Sequence, residues 1–223
     1  MVDSYCRKLP EFRRAIAAPG CIGVPTEALL GTSPAQYDQN VLLEYAYAVA
    51  RTSAGRDRIS ILDWGGGFGF LSFVVAELFP ELTVDFHVKD VASVARAARD
   101  QVTDVTFWDD DTCLDRQFDL VTACGSLQYE PAWAATIARF GAAGDLVFLN
   151  RLPVALTTSS FVTRQHAYGT SYVGWVIGRT ELLTAAAHAG LQFEREFVEG
   201  WSASIPRAPA PDEHRGFLFR RAR

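Results

Sequence analysis

A glycine-rich turn between an apolar strand and an apolar helix constrains the fold of this 223-residue chain more than any other feature. The turn lies in the run ILDWGGGFG and has the pattern D-x-G-x-G-x-G, at Asp63, Gly65, Gly67 and Gly69. Glycine lets a backbone turn tightly and approach a ligand, and the helix that follows presents free N–H groups there. A dinucleotide fingerprint would have glycine where Phe70 stands, and a P-loop would need G-K-[S/T]. The pattern therefore indicates a ligand-binding turn of another kind.

Strands alternate with helices along most of the chain. The predicted strands are Arg58–Asp63, Leu82–Val88, Asp104–Phe107, Phe118–Ala123, Asp145–Asn150, Leu191–Val198 and Gly216–Arg220. This alternation predicts an α/β fold with a doubly wound, mostly parallel seven-stranded sheet. The last two strands have no helix between them and predict an antiparallel C-terminal edge strand. Ligands of such sheets bind beyond the carboxyl ends of the strands.

Two regions lie outside this alternating pattern. Residues 1–57 are predicted to be helical, with one helix from Pro10 to Ala18 and another after the N-cap residue Ser33. They would form an N-terminal cap on a ligand-binding domain at 58–223. The segment at about 151–179 is much longer than the usual strand-to-helix connection of about 2–6 residues. We expect this segment to be a lid over the ligand edge of the sheet.

Charge and cysteine content argue against nucleic acid, anionic membranes and metal ions as partners. The net charge is −5 and the pI is about 5.4, whereas binding to nucleic acid or an anionic membrane needs a basic surface. The four cysteines are scattered and lack histidines at ligand spacing, so no metal site is expected. The N-terminus has no apolar signal core, and the longest apolar stretch is shorter than the roughly 20 residues of a membrane span. We expect a cytoplasmic protein with a small-molecule substrate; no feature indicates an oligomeric state.

The glycine turn resembles the first motif of class I S-adenosylmethionine (SAM)-dependent methyltransferases, which have a Rossmann-like fold. Three further runs, CGSLQY after the fourth strand, NRLP after the fifth and SYVGWVIGR in the predicted lid, resemble a group of bacterial small-molecule methyltransferases. The resemblance covers residues 60–200 and implies that SAM is the cofactor. In size and layout the chain also resembles azetidine-2-carboxylate synthases.

The resemblance implies a set of cofactor contacts. Asp90 follows the second predicted strand, 23 residues after Gly67, where an acid can bind both ribose hydroxyls. Asp85 is the alternative acid, and Asp90 could instead cap the next helix. Trp108 and Asp109 match an aromatic residue and an acid at the adenine, although residues 109–111 could also form a solvated acidic loop. The whole expected set is Asp63, Trp64, Gly65, Gly66, Gly67, Gly69, Asp90, Val91, Trp108, Asp109, Cys124 and Gln128.

Aromatic side chains and one histidine are the candidates for the reaction. Tyr129, Tyr172 and Trp175 offer ring faces to a cationic sulfonium, and each such contact contributes about 0.5–2 kcal/mol. His166 is a candidate general base, with a surface or structural role as the alternative. The predicted lid also carries Phe161 and Tyr168. Ordinary packing under a lid would explain the same aromatic residues.

Three functions fit these features. Methyl transfer from SAM to a small molecule is favoured by the turn, by Asp90 and by the short covering segments. The alternative is a cyclisation in which the α-amino nitrogen of SAM attacks its own γ-carbon and methylthioadenosine leaves, as in azetidine-2-carboxylate synthases. A non-catalytic SAM-binding or partner-binding module ranks last, because the intact glycine turn and Asp90 argue against loss of cofactor binding.

Overall fold

The structure, a computed structural model, describes residues 1–27, 31, 33–167 and 170–222. Its helices are α1 (Val2–Ala17), α2 (Gln36–Ser53), α3 (Phe70–Leu78), α4 (Ala92–Arg99), α5 (Trp133–Ala143) and α6 (Arg179–His188). Its strands are β1 (Arg58–Trp64), β2 (Thr83–Lys89), β3 (Thr106–Trp108), β4 (Phe118–Cys124), β5 (Gly144–Ala155), β6 (Phe161–Ala167), β7 (Thr170–Gly178), β8 (Leu191–Val198) and β9 (Asp212–Arg221).

The sheet confirms the predicted α/β fold. Its parallel part has the order β3-β2-β1-β4-β5. β9 pairs antiparallel with β5, and β8 pairs antiparallel with β9. The seven predicted strands are all present, and the antiparallel pairing lies at the C-terminal end as expected. β9 lies between β5 and β8, one strand in from that edge.

The predicted lid segment forms additional sheet structure. β5 does not end at Asn150 but continues to Ala155, and the chain then folds into the antiparallel hairpin of β6 and β7. β7 pairs in parallel with the extension of β5, Val154 lying opposite Ile177. The hairpin thus adds two strands to the seven predicted. Its strands, FVTRQHA and TSYVGWVIG, are rich in β-branched and aromatic residues, which favour a pleated sheet.

The N-terminal helices begin elsewhere than the sequence predicts. The prediction that Pro10 starts the first helix is wrong: α1 begins at Val2, and Pro10 lies inside it. A proline inside a helix costs about 3 kcal/mol, and the burial of the apolar face of α1, which includes Phe12 and Ile16, offsets this. Likewise α2 begins at Gln36 with Ala35, rather than Ser33, as its N-cap.

Helices cover both faces of the sheet. The core on one face contains apolar residues from α1, α2, α3 and α4. The core on the other face contains apolar residues from α5 and α6. The turns that follow β1, β2 and β4 meet at the carboxyl edge of the sheet, beside Arg151 and Pro153 of β5.

Candidate functional site

A cavity of about 740 Å³ lies at the carboxyl ends of the parallel strands. Its base consists of the glycine turn and the residues that follow β2, β4 and the first half of β5. Its cover comes from the start of α1, residues 26–27, the β6–β7 hairpin and residues 201–206 between β8 and β9. The volume falls within the range of about 300–1,000 Å³ that is usual for small-molecule sites.

The glycine turn packs closely against neighbouring residues. Gly65 has φ +81°, and a Cβ there would lie 2.3 Å from Cβ of Ser126, whose hydroxyl donates to the carbonyl of Trp64 at 2.6 Å. Gly67 has φ +60°, and a Cβ there would lie 3.1 Å from the hydroxyl oxygen of Tyr5. Both backbone conformations are left-handed and favour glycine. The turn is therefore closed on one side by protein and open to the cavity on the other.

Asp90 joins the glycine turn to the turn after β2. Its Oδ2 accepts a hydrogen bond from the backbone N–H of Gly67 at 2.9 Å, and its Oδ1 accepts one from the N–H of Val91 at 2.7 Å. Asp90 lines the cavity, and burial raises the pKa of its carboxyl group. It does not cap α4, whose N-cap is Val91. The rival acid, Asp85, lies 3.1 Å from Nε2 of His87 and does not line the cavity.

A second buried acid lies beneath the turn. Asp63 is 1% exposed, lines the cavity and accepts a hydrogen bond from the hydroxyl of Thr122 at 3.0 Å. Burial raises the pKa of Asp63 to about 7. Its protonation state thus changes near neutral pH.

Three members of the expected cofactor set, Gly69, Trp108 and Asp109, do not line the cavity, and neither does the reaction candidate Trp175. The indole N–H of Trp108 donates to Nδ1 of His87 at 3.0 Å, and Asp109 lies 3.6 Å from a guanidinium nitrogen of Arg99. Trp175 packs against the core beneath α5 and α6. The assignment of Trp108 and Asp109 to an adenine stays a prediction that the geometry of the cavity does not support.

The remaining expected residues do meet in the cavity. The hydroxyl of Tyr129 donates to Oε1 of Gln165 at 2.8 Å, and its ring centroid lies 6.1 Å from that of Tyr172. Nδ1 of His166 lies 2.9 Å from the hydroxyl of Ser171. The other expected residues that line the cavity are Trp64, Gly65, Gly66, Gly67, Val91, Cys124 and Gln128. Tyr168 lies outside the described residues.

Arg151 is a cavity residue that sequence reasoning recognised only as part of the NRLP run. It has φ +52°, an uncommon conformation for a residue with a side chain, and it is 5% exposed. Its backbone N–H donates to Oε1 of Glu199 at 2.6 Å. Its guanidinium pairs with Glu27 and lies 3.2 Å from Asp38. These contacts connect β5 to the segment before α2, to α2 itself and to the residues after β8.

A histidine and two aromatic residues complete the same wall and were missed. The hydroxyl of Tyr37 lies 2.8 Å from Nδ1 of His214, and the ring of Trp201 packs edge-on against this imidazole with centroids 4.3 Å apart. Burial, followed by the charge of Arg151, lowers the pKa of His214 to about 4. No sequence motif marks these residues, because Tyr37 fits the apolar period of α2 and the other two flank a proline-rich loop.

The arrangement suits an organic ligand with polar groups. Acids lie at the glycine turn, and aromatic rings, two arginines and two histidines lie around the cover. Among the described residues there is no group of three or more histidine, cysteine, aspartate or glutamate side chains that could hold a metal ion. None of the helices in the described part of the chain is long and apolar enough to cross a membrane.

Known proteins resemble this chain in fold. No protein-family model matches it, and no curated protein is detectably similar. The CcbJ methyltransferase from Streptomyces caelestis matches 92% of this chain and 94% of its own, with a TM-score of 0.59 and 15% identity. The N-terminal domain of EvdMO1, solved with SAH bound, matches 97% of this chain and 97% of its own, with a TM-score of 0.55 and 17% identity. The sugar N-methyltransferase KedS8 from Streptoalloteichus sp ATCC 53650 matches 81% of this chain and 87% of its own, with a TM-score of 0.53 and 16% identity.

At sequence identities this low, the similarity shows the fold alone. The chain has the Rossmann-like fold of class I SAM-dependent methyltransferases, as its glycine turn predicts. The comparisons give no support for a resemblance to azetidine-2-carboxylate synthases.

Proposed function

We propose that this protein is an enzyme that binds SAM and transfers its methyl group to a small molecule. The observation that carries the proposal is that the glycine turn with Asp90 and a wall with Tyr129, Tyr172 and Arg151 line one cavity of about 740 Å³. The glycine turn and Asp90 supply a place for the cofactor. Tyr129, Tyr172 and the residues around Arg151 supply a separate wall for an acceptor.

The turn and its acid support SAM as the cofactor. Each oxygen of Asp90 accepts one backbone hydrogen bond, and a carboxylate oxygen has a further lone pair for a ribose hydroxyl. The turn precedes the N-terminus of α3, where backbone N–H groups favour a negatively charged or polar ligand. SAM supplies a methyl group activated by a sulfonium. The residues present fit this cofactor.

The cover of the cavity supports a transfer reaction. Ring faces attract a cation, and those of Tyr129 and Tyr172 lie in the cavity wall. A cover built from α1, the hairpin and residues 201–206 holds an acceptor in place and excludes water. We therefore propose that residues 58–223 bind SAM, that residues 1–57 form the cap and that the segment at about 151–179, which contains the β6–β7 hairpin, acts as the lid.

Product analysis by mass spectrometry tests the proposal. The protein is incubated with SAM alone and with SAM plus a panel of small alcohols, phenols and amines. S-adenosylhomocysteine (SAH) that forms only with a panel member supports methyl transfer. Methylthioadenosine from SAM alone would instead support self-cyclisation of SAM and overturn the proposal. Calorimetry tests the cofactor separately, since binding of NAD without binding of SAM or SAH would contradict it.

A further inference from the structure

His214 and Tyr37 form a pair in the cavity wall that the proposed function does not yet use. The Tyr37 hydroxyl lies 2.8 Å from Nδ1 of His214, and Trp201 packs against the imidazole. His214 lies in β9, opposite Pro153 of β5, and its side chain is 14% exposed. Both members of the pair line the cavity. The imidazole is therefore fixed by its neighbours and still accessible from the cavity.

The proton of the neutral imidazole is on Nε2 if the Tyr37 hydroxyl donates to Nδ1, and on Nδ1 if the hydroxyl accepts from it. The hydroxyl oxygen accepts a long hydrogen bond from Nε of Arg151 at 3.4 Å. Glu199 is fully buried, and its Oε2 has no hydrogen-bond partner within 3.5 Å among the described residues. Burial raises the pKa of Glu199 to about 7, and the nearby Tyr37 hydroxyl is one of the groups that oppose this. A Tyr37 proton directed at Glu199 leaves the hydroxyl oxygen free to accept from Nδ1–H of His214, so Nε2 keeps its lone pair.

We propose that Nε2 of His214 accepts the proton of a hydroxyl group on the acceptor, so that the enzyme methylates the oxygen of a small alcohol or phenol. This inference rests on the proposed function. The acceptor oxygen uses a lone pair to form a bond to the methyl carbon, and the carbon–sulfur bond breaks with its electron pair staying on sulfur. The hydroxyl proton moves to Nε2. Tyr37 is a positioning residue, because it fixes the tautomer through Nδ1.

The charged groups around the imidazole suit this role. Arg151 on β5, Glu199 after β8, Asp212 on β9 and the Tyr37 hydroxyl on α2 face it. Burial and then Arg151 lower the pKa of His214 to about 4, which keeps the ring neutral at pH 7. Glu199 and Asp212 each have a carboxylate oxygen 4.0 Å from a ring nitrogen. In their ionised forms these carboxylates stabilise the positive charge that the ring gains in the reaction.

A weak base favours a hydroxyl acceptor over a protonated amine. A hydroxyl oxygen that has gained a methyl group is strongly acidic, so even a weak base removes its proton. An ordinary ammonium group has a pKa near 10, and transfer of its proton to this imidazole is disfavoured by about a million-fold. A neutral amine needs no base for its attack. The acceptor group that both needs this histidine and can use it is a hydroxyl.

The tautomer of His214 tests the base role without any acceptor. Labelling with 15N-histidine gives one set of ring signals for each of the four histidines in the sequence, and His214→Gln identifies the set of His214. We expect a neutral ring with its proton on Nδ1 at pH 7, and we expect Tyr37→Phe to shift the proton towards Nε2. A proton on Nε2 in the wild-type protein, or a charged ring at pH 7, would overturn the proposal.

Matched acceptors test the substrate class. The probes are phenol with aniline, benzyl alcohol with benzylamine, and cyclohexanol with cyclohexylamine. We expect SAH from the hydroxyl members, and for these His214→Gln should lower kcat at least tenfold while KM and the Kd for SAM stay unchanged. His188→Gln, at the exposed end of α6, is the control and should keep wild-type kcat. Methylation of amines only, or wild-type kcat in His214→Gln, would overturn the proposal.

The two proposals fail in different ways. Absence of SAM binding in calorimetry contradicts the proposed function. It does not change the tautomer of His214, which NMR measures without SAM. SAM binding together with the wrong tautomer contradicts only the role of His214. Where none of the six probes reacts, the NMR result decides the role of His214 alone.

Discussion

At the scale of single residues, Gly67 takes part in the site in two ways. Its backbone N–H donates to Asp90, and the space where a side chain would lie is bounded by the Tyr5 ring. We predict that Gly67→Val abolishes SAM binding in calorimetry, because the branched side chain displaces either the cofactor or α1. The left-handed backbone adds a stability cost of about 1–2 kcal/mol.

Gly55 provides the matched control for this substitution. It has φ +76°, and a Cβ there would meet nothing within 4 Å. Gly55→Val should therefore show the same loss of stability from backbone strain and keep the wild-type Kd for SAM. Equal Kd values for the two variants would contradict the role of Gly67 in the cofactor site.

Asp90 is predicted to bind the ribose as well as the glycine turn. A hydrogen bond to a charged group contributes about 1.5–3 kcal/mol, so Asp90→Ala should weaken SAM binding at least tenfold with the fold retained. Asp85→Ala should leave the Kd unchanged, since Asp85 lies outside the cavity. An unchanged Kd for Asp90→Ala with a strong loss for Asp85→Ala would reverse the assignment.

An analogue separates the two tasks of Asp90. Wild-type protein should bind SAH more tightly than its 2′,3′-dideoxy analogue, and Asp90→Ala should bind the two almost equally. If the variant still discriminates between them, Asp90 only supports the turn and the hydroxyls are bound elsewhere.

Residues close in sequence could be predicted, and residues brought together from distant segments could not. The glycine turn and Asp90 are 23 residues apart, and the strand–turn–helix pattern specifies their positions. Tyr37 and His214 are 177 residues apart, and their contact depends on where β9 pairs in the sheet. Trp108 has the expected position in the chain, but its indole is hydrogen-bonded to His87. Side-chain direction is not visible in a sequence pattern.

At the scale of elements, the β6–β7 hairpin is the part of the lid that can be tested. We predict that Tyr172→Ala lowers turnover more than it weakens SAM binding, because it removes ring surface and exclusion of water near the reacting carbon. Tyr172→Phe should keep most activity if the ring face matters and lose it if the hydroxyl positions a group. Turnover is measured as SAH release with the acceptor found by product analysis.

Val173 offers a control on the same strand. It is 64% exposed and does not line the cavity. Val173→Ala should keep wild-type turnover. A Tyr172→Ala enzyme with the turnover of Val173→Ala would mean that the hairpin is only structural.

The hairpin also illustrates which elements a sequence reveals. The seven strands of the core sheet are short apolar runs between helices or turns, and each was predicted. β6 (FVTRQHA) and β7 (TSYVGWVIG) lack a regular alternation of polar and apolar residues, and no tight-turn dipeptide such as Asn-Gly joins them. The sequence therefore predicts a lid here but not its strands.

At the scale of the whole molecule, buried carboxyl groups couple stability to pH. Burial, with the charge of Glu199 adding to it, raises the pKa of Glu44 from 4.5 to about 9. The folded protein keeps this proton where the unfolded chain has lost it, so the stabilisation is complete below pH 4.5 and is lost as pH rises through about 9. We predict that the free energy of unfolding in urea falls by about 2–4 kcal/mol between pH 6 and pH 9.

Substitution of the same group isolates its contribution. Glu44→Gln should remove most of this fall, whereas Glu77→Gln, on the exposed face of α3, should not change it. A free energy of unfolding that is the same at pH 6 and pH 9 would contradict the burial of a protonated Glu44.

The position of β9 in the sheet has a consequence for the order in which the protein can be made. Residues 212–221 are translated after every other described strand, yet they fill the gap between β5 and β8. Until they emerge, β5 keeps an unpaired edge, which is open to wrong partners. The glycine turn, β1 and β4 are translated far earlier. A nascent chain would thus have the cofactor turn in place before the wall that contains His214, and it would need chaperone protection mainly along β5.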